Sequence, residues 1–149
     1  MSRDIGAYLK TKVPFYKTQE AITSLLEKYD IYDIQFTNTI DTITLMFLYP
    51  YKKDLKLGVK ITLQIPPAKK DKERIQLKNQ YYRALFYYLK SKMEAVHFGI
   101  RDFGEEFLGD LTLRLNDGTI TTIKERLTPQ LTQELINGKK GEIKLLPGA

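Results

Sequence analysis

The sequence predicts an α+β protein, with a three-stranded antiparallel sheet flanked by an N-terminal helix and a long central helix, followed by a C-terminal β-hairpin and a short helix. Two observations predict this class. Apolar and polar residues alternate over three successive stretches between positions 31 and 65, which is the period of half-buried strands. No glycine or proline falls between Pro67 and Gly99, which predicts a helix of up to about 30 residues.

Length and composition indicate one folded domain without disulfide, thiolate or multi-histidine metal chemistry. The chain has 149 residues, of which 42% are hydrophobic and 28% charged, as in ordinary globular domains. We expect a single α+β domain over residues 1–149, with a flexible arm over 1–13 and a tail over 139–149. The absence of cysteine excludes disulfides and zinc–thiolate sites, and the single histidine, His97, excludes multi-histidine sites within one chain. We therefore expect no metal and no cofactor.

The N-terminal helix and the three strands follow from local patterns. Thr18 suits a helix N-cap, and apolar residues follow it at helical spacing, so the first helix is expected from about 18 to 29. The strands are expected at 31–37, 42–49 and 58–65, with Pro50 ending the second. Their core-facing residues are Ile43, Leu45, Phe47, Tyr49, Val59, Ile61, Leu63 and Ile65. Because Met46 and Leu48 are apolar on the opposite face, strand two is expected to be covered on both sides.

Two apolar stripes run along the central helix. The first, facing the sheet, consists of Ile75, Tyr82, Phe86, Leu89, Met93 and Val96, with Leu85 at its edge. The second, about a third of a turn away, consists of Leu77, Tyr81, Ala84, Tyr88 and Ala95. One stripe is normally roughly 100° wide, whereas these two span about 200°, so we expect cover on two sides. The C-terminal segment or a second copy of the chain would supply the second cover, and we assign the second stripe to a homo-oligomer interface.

Beyond the central helix the pattern becomes less regular. The helix is expected to bend or break near Gly99 and Gly104. A hairpin is expected around Asn116-Asp117-Gly118, between strands at 111–115 and 119–120. Thr128 and Pro129 predict the start of a last helix that ends before Gly138. Its core-facing residues would be Leu131, Leu135 and Ile136, and the tail after it would be anchored by Ile143, Leu145 and Leu146.

The positive charge is concentrated around the central helix. The chain carries a formal net charge of +6, and residues 61–98 hold eight Lys or Arg against three Asp or Glu. Such clustering can attract polyanions, which makes DNA or RNA a candidate partner. The assigned nucleic-acid-binding residues are Lys60, Lys69, Lys70, Lys72, Arg83, Tyr87 and Lys90. Tyr51 and Tyr87 would stack on bases if exposed. A solvated charged helix face that binds nothing stays open as the alternative.

A set of residues in the second half of the chain forms a recognisable pattern: 82–85, 90–96, Gly99, Ile100, Phe103 and 105–108, and more weakly 117–118, 128–130 and 145–148. In these residues the chain resembles a family of small uncharacterised proteins of phages, prophages and other mobile elements. The resemblance implies a viral or mobile-element setting and brings no activity, cofactor or site residue with it. DNA handling and counter-defence are common jobs in that setting, so a host or viral protein is a further candidate partner.

No catalytic pattern is specific enough to assign an activity, and no catalytic residue is assigned. Asp102 and Glu106 would share a face at helical spacing and could hold Mg²⁺, but the accompanying nuclease pattern is absent from strands two and three. The chain has no apolar run of about 18 residues and no signal-peptide pattern, so we expect a cytoplasmic protein, in the host cytoplasm if it is viral. The sequence predicts a non-enzymatic, homo-oligomeric nucleic-acid-binding accessory protein. The alternative is a protein-binding counter-defence or structural module that uses the apolar face of the central helix.

Overall fold

The computed structural model describes residues 10–137 and confirms the α+β class. An N-terminal helix leads into a three-stranded antiparallel sheet, a long helix follows, and a strand pair and a last helix complete the chain. The elements are α1 (Phe15–Glu27), β1 (Asp33–Asn38), β2 (Thr42–Lys52), β3 (Leu55–Gln64), α2 (Asp71–His97), α3 (Phe103–Glu106), a 3₁₀ turn (Leu108–Asp110), β4 (Thr112–Arg114), β5 (Ile120–Thr122) and α4 (Ile123–Asn137).

The main sheet has the strand order β1-β2-β3, and the pairing of β2 with β3 keeps one register from Thr42 to Pro50 and shifts before Lys52. Asp33 faces Leu48 in the first pair, and Thr42 faces Gln64 in the second. A row of threonines crosses the sheet, because Thr44 lies opposite both Thr37 and Thr62. The small sheet β4-β5 meets the main one at a single bridge between Leu111 and Val59.

The hydrophobic core lies between the sheet and the two long helices. The predicted inner residues of β2 and β3 are buried or half-buried, and the first stripe of α2 packs against them, as predicted, except that Ile75 is exposed. Phe103 and Phe107 close one end of this core around Phe47. The most deeply buried members are Ile22, Leu26, Ile31, Ile43, Leu45, Phe47, Val59, Tyr82, Leu85, Leu89, Met93 and Phe107. The helices thus cover one face of the sheet, and α2 contributes Tyr82, Leu85, Leu89 and Met93 to the core between them.

The first helix begins earlier than the sequence predicts, at Phe15 rather than Thr18. The cap comes from a distant residue: the Phe15 backbone N–H donates to Asn79 Oδ1 on α2 at 2.8 Å. Thr18 is therefore inside the helix, where its side chain is buried and its Oγ1 atom has no partner among the described residues. The residues around a helix start cannot reveal a capping acceptor that lies 64 positions away in the sequence.

The second strand continues through Pro50, which was expected to end it. Proline lacks an N–H and is tolerated in a strand only where that group would face no neighbour. β1 stops pairing at Leu48, while β2 and β3 stay paired at Pro50 and Lys56. The missing donor of Pro50 therefore lies on the side where β1 has already ended.

The central helix ends at His97 and does not continue through Gly99. The Ile100 N–H donates to the Ala95 carbonyl at 2.9 Å, and the Gly99 N–H donates to the Val96 carbonyl at 3.1 Å. These two bonds form a Schellman motif, which needs a left-handed residue after the helix. Gly99 provides it with φ +73°. The predicted break is thus confirmed at Gly99, and α3 is a separate short helix.

The last helix contradicts two expectations. It begins at Ile123, with Thr122 Oγ1 accepting from the Glu125 N–H at 3.2 Å, so Thr128 and Pro129 lie inside it. The residues expected in the core, Leu131, Leu135 and Ile136, are 53%, 72% and 71% exposed. The hairpin before the helix is confirmed, with Gly118 at φ +86° in its turn. Gly138 and the predicted tail anchors Ile143, Leu145 and Leu146 lie outside the described residues, as does the predicted arm up to position 9.

Candidate nucleic-acid interface

Three predicted binding lysines lie where the chain enters α2. Lys69 and Lys70 precede the helix, Lys72 is in its first turn, and all three side chains are exposed. Asp71, the acidic residue between them, forms an ion pair with Arg74, whose Nη1 lies 2.8 Å from Asp71 Oδ1. The lysines therefore keep their charge uncompensated by that carboxylate.

Two further lysines, which the sequence pattern did not single out, lie beside this site. Thr11 is buried, and its carbonyl accepts from Gln76 Nε2 at 3.0 Å, which holds residues 10–13 against the second turn of α2. Lys10 and Lys12 flank Thr11, and both are exposed. The sequence signal that could have identified Lys10 and Lys12 is the alternation of lysine and threonine at 10–12, which is typical of a segment with one side buried and the other exposed. We call Lys10, Lys12, Lys69, Lys70 and Lys72 the lysine cluster.

The rest of the predicted site continues along the outer face of α2. The Arg83 guanidinium lies over the Phe86 and Tyr87 rings, at 5.0 and 5.2 Å from their centroids. Tyr87 is 37% exposed, and Lys90, one turn further, is exposed. Residues 72, 83, 87 and 90 share one side of the helix by its 3.6-residue period. The structure therefore brings Arg83, Tyr87 and Lys90 onto the same helix face as Lys72.

Lys60 does not join this surface. It is half-buried on β3 and lies instead along a groove between β3 and the flank of α2. Tyr51, the other predicted stacking residue, is 43% exposed near the β2–β3 turn, where Lys52 Nζ lies 5.4 Å from its ring centroid. Neither residue is on the outer face of α2.

The groove that holds Lys60 contains most of the predicted oligomer interface. It has a volume of about 420 Å³, and its walls include Tyr81, Ala84 and Tyr88 from α2 and Ile61 to Leu63 from β3. Tyr88 is 46% exposed, whereas Leu77 and Ala95 are half-buried. Leu77 and Tyr81 also pack partly against the core. The second stripe of α2 is thus only partly covered by the described part of the chain. We call this feature the side groove.

A polar cluster lies beside the side groove, in contact with Tyr88 of its wall. Lys92 Nζ donates to the Glu106 carbonyl at 2.8 Å and to Glu106 Oε1 at 3.1 Å, and it lies over the rings of Tyr88 and Phe107. Burial opposes the charge of Lys92, but its bonds to Tyr88 and Glu106 outweigh this and raise its pKa. Burial also raises the pKa of the half-buried Asp110 carboxyl, against the attraction of Lys92 and Lys124. These groups hold the C-terminal part of the chain onto α2.

The carboxylates considered for Mg²⁺ have separate structural roles. Asp102 caps α3, accepting from the Glu105 N–H at 2.7 Å in a capping box, and Glu106 pairs with Lys92. Between residues 10 and 137 no group of three or more His, Asp or Glu side chains is placed to hold a metal ion. His97 is exposed and makes edge contacts with the rings of Tyr29 and Phe98. Asp102 and Glu106 therefore each make a separate structural contact, one as a helix cap and one with Lys92.

Comparison with known proteins found no matching family model, curated protein or solved structure. Within residues 10–137 no helix combines the length and the apolar character needed to cross a bilayer.

Proposed function

We propose that the protein is a non-enzymatic nucleic-acid-binding protein that contacts phosphates through the lysine cluster and the outer face of α2. The observation that carries this proposal is the bond between the Thr11 carbonyl and Gln76, which sets Lys10 and Lys12 beside the lysines at the start of α2. Five exposed lysines from two separate segments, 10–12 and 69–72, thus belong to parts of the chain that meet at the first two turns of α2. A phosphate-binding surface needs several positive charges close together in space, and a run of charged residues in one segment of the chain does not by itself provide that.

The charges of the cluster are available to a polyanion. Within the described part of the chain, the ion pairs of lysine involve Lys17, Lys56 and Lys92, and none involves a member of the lysine cluster. Lysines that neutralise phosphates release condensed counterions, so each contact adds a salt-dependent increment to affinity. Binding should therefore weaken steeply as salt increases.

The outer face of α2 extends the surface to a length that suits several nucleotides. Lys72 and Lys90 are 18 positions apart in sequence, which corresponds to about 27 Å along a helix that rises 1.5 Å per residue. This length matches about eight base pairs at 3.4 Å each. The Arg83 side chain over the Tyr87 ring forms a flat cationic and aromatic platform within this span, suited to a phosphate or an unstacked base.

The biological setting and the oligomeric state are parts of the same proposal. The resemblance of residues 80–149 to proteins of phages and mobile elements supports an accessory role in such an element. The partly covered second stripe of α2 supports a homo-oligomer, which would present more than one basic surface to the same nucleic acid.

Charge reversal on this surface tests the proposal. The variant Lys70→Glu plus Arg83→Glu should bind a fluorescent 20-nucleotide DNA or RNA, single- or double-stranded, at least about tenfold more weakly at low salt, because two phosphate contacts become repulsive. Fluorescence anisotropy measures this change. The matched control is Lys28→Glu plus Arg101→Glu, which alters net charge equally; Arg101 lies beyond the opposite end of α2. Equal affinity losses in the two variants would contradict a defined binding face.

A second function is favoured by the side groove, since a groove that combines tyrosines and aliphatic residues with the charged residues Lys60, Asp110, Lys124 and Glu125 also suits a protein partner. Under this alternative the protein is a counter-defence or structural module that holds a host or viral protein against α2. Association would then persist after nuclease treatment and at high salt, and Ala84→Glu would abolish it while Lys70→Glu plus Arg83→Glu would not. The opposite pattern favours nucleic-acid binding.

A further inference from the structure

The outer edge of β1 is unpaired in the described part of the chain. β1 is an edge strand of the main sheet, and its partner there is β2. The side chains of Ile34 and Phe36 pack partly against the core, so they mark the face of the sheet that the helices cover. An unpaired strand edge presents backbone donors and acceptors to which an extended segment can add as a further strand. This edge is therefore a candidate surface for strand addition.

The hydrogen-bond pattern identifies the backbone groups that face outward. The Thr39 N–H donates to the Thr42 carbonyl at 3.0 Å across the turn between β1 and β2. Inward and outward bonding alternate along an antiparallel strand, so the odd-numbered residues of β1 bond to β2. The N–H and C=O groups of Ile34, Phe36 and Asn38 face away from β2. Outside the ladder, no backbone bond joins these six groups to the rest of the described chain.

A shallow groove lies beside this edge. It has a volume of about 500 Å³, and its walls are Phe36 of β1 and six residues of α1. These six are Tyr16, Gln19, Glu20, Thr23, Ser24 and Glu27. When a strand adds to an antiparallel sheet, side chains directly opposite each other share a face. The side chains of an added strand that lie opposite Ile34, Phe36 and Asn38 therefore belong on the side of this groove.

The two acidic residues of the groove lie toward its opposite ends. Gln19 and Asn38 both bond the Tyr82 hydroxyl, so Glu20 lies toward the C-terminal end of β1. The chain passes from Glu27, the last residue of α1, to the start of β1 within a short turn. Seven positions along a helix correspond to about 10 Å, and five residues of a strand span about 14 Å. The spacing of the two carboxylates is therefore close to the length of the free edge.

This side of the molecule is acidic although the chain as a whole is basic. Residues 18–41 hold five Asp or Glu against one Lys, whereas the whole chain has a net charge of +6. Lys17 lies 3.7 Å from Glu20, and Glu27 makes no ion pair within the described chain. A second copy of β1 on this edge would bring two such acidic sides together, and like charges oppose that pairing. The charge therefore favours a basic partner over a second copy.

We infer that the edge of β1 binds an extended basic segment of a partner protein, which adds to the sheet as an antiparallel strand. The segment has the pattern basic–x–apolar–x–basic. Its apolar side chain packs on Phe36, and its two basic side chains reach Glu20 and Glu27 at the ends of the groove. Backbone pairing supplies the affinity, and the acidic groove selects the basic sequence. The surface uses none of the residues assigned to nucleic-acid binding, so the inference does not rest on the proposed function.

A fluorescent peptide with blocked ends, Arg-Thr-Val-Thr-Arg, tests the inference without nucleic acid. We expect saturable binding by fluorescence anisotropy at about 150 mM salt. The peptide Glu-Thr-Val-Thr-Glu should bind at least about tenfold more weakly, because its carboxylates meet Glu20 and Glu27. If the arginine peptide shows no saturable binding at protein concentrations up to about 1 mM, the inference is wrong.

Single N-methyl groups separate strand addition from charge attraction alone. In the antiparallel register the valine N–H bonds to the Phe36 carbonyl, whereas the N–H of the threonine before it faces away from β1. Methylating the valine amide should weaken binding at least about tenfold, since it removes a bond and places a methyl group against β1. The peptide methylated on that threonine should bind like the unmodified one. Equal affinities of the two methylated peptides would overturn the inference.

Charge reversal in the groove locates the bound peptide. Glu20→Lys plus Glu27→Lys should bind the arginine peptide at least about tenfold more weakly, because both attractive contacts become repulsive. Both residues are exposed, so the variant should fold as the wild type does. The matched control is Glu73→Lys plus Glu134→Lys, which reverses two exposed acids on α2 and α4 and should change the affinity by less than about twofold.

Two results with these variants and the wild type would overturn the inference. Equal affinity losses in the two double variants would show that the peptide responds to net charge and not to this groove. A wild-type dimer in sedimentation velocity that the arginine peptide dissociates would place a second copy on the edge instead of a basic segment of another protein.

Discussion

The two longest helices after the sheet, α2 and α4, differ in what their apolar residues contact. α2 buries five residues: Asn79, Tyr82, Leu85, Leu89 and Met93. α4 carries leucines at 127, 131 and 135, a spacing that places them on one side, yet none of its residues is buried. An apolar stripe therefore predicts which side of a helix prefers to be covered, and the rest of the fold decides whether a partner is present.

The largest expected effect is the difference in unfolding free energy between a leucine-to-alanine variant in α2 and one in α4. Leu89→Ala should lower the free energy of unfolding by about 2–5 kcal/mol, because Leu89 is fully buried and its removal leaves a cavity. Leu131→Ala, at a site that is 53% exposed, should change it by less than about 0.5 kcal/mol. Urea unfolding followed by circular dichroism measures both. Similar losses for the two variants would show that α4 is packed in solution and would remove the contrast.

An intermediate effect is expected where α2 holds a polar group inside the core. The Tyr82 hydroxyl donates to Asn38 Oδ1 and accepts from Gln19 Nε2 at 3.0 Å, so it ties α2 to both β1 and α1. Tyr82→Phe should cost about 1–2 kcal/mol of unfolding free energy, because the Asn38 and Gln19 side chains are each left with one hydrogen bond fewer.

The control for that change is Tyr32→Phe, since Tyr32 is 68% exposed and its hydroxyl donates to its near neighbour Asp30. Urea denaturation should show little change for this control. If Tyr82→Phe is as neutral as Tyr32→Phe, the polar connection between the three elements contributes nothing to stability.

The smallest effect concerns pH at the junction between α2 and the C-terminal part. Burial raises the folded-state pKa of Asp110 above its ordinary value of 3.8. The folded state then binds the proton more tightly than the unfolded state, so the contribution of Asp110 to stability is present at low pH. It disappears as pH rises from about 3.8 through the raised pKa.

Replacing the carboxyl tests this sign. The melting temperature of Asp110→Asn should rise relative to the wild type between pH 3 and pH 7, because the variant keeps no charge to bury. Asp117 is a control with the opposite sign, since its bonds to Thr119 lower its pKa. A constant difference between Asp110→Asn and the wild type across this range would contradict the burial of the charged carboxyl.

The sequence predicted the elements whose signal is local and missed the features that depend on distant residues. The strands, the long helix, its end at Gly99 and the hairpin at Gly118 follow from period and turn chemistry, and all are present. The start of α1 depends on Asn79, and the continuation of β2 through Pro50 depends on where β1 ends. Neither dependence is visible in the local pattern.

The candidate site shows the same division. Lys69, Lys70 and Lys72 were found because they adjoin in sequence, and Arg83 and Lys90 because they share a helical period with Lys72. Lys10 and Lys12 were missed because one long-range bond, from Gln76 to Thr11, places them. Lys60 was assigned to the same patch from its position on β3, but the structure places it in the side groove.

The salt dependence of binding tests the proposed phosphate-binding surface most directly. Affinity for a duplex DNA should be measured by fluorescence anisotropy from about 50 to 300 mM salt, for the wild type and for Lys10→Gln plus Lys12→Gln. If both lysines bind phosphates, the slope of log affinity against log salt should become shallower by about two, roughly one for each lysine replaced. An unchanged slope would show that Lys10 and Lys12 do not share a binding surface with the start of α2, and would contradict the proposed interface.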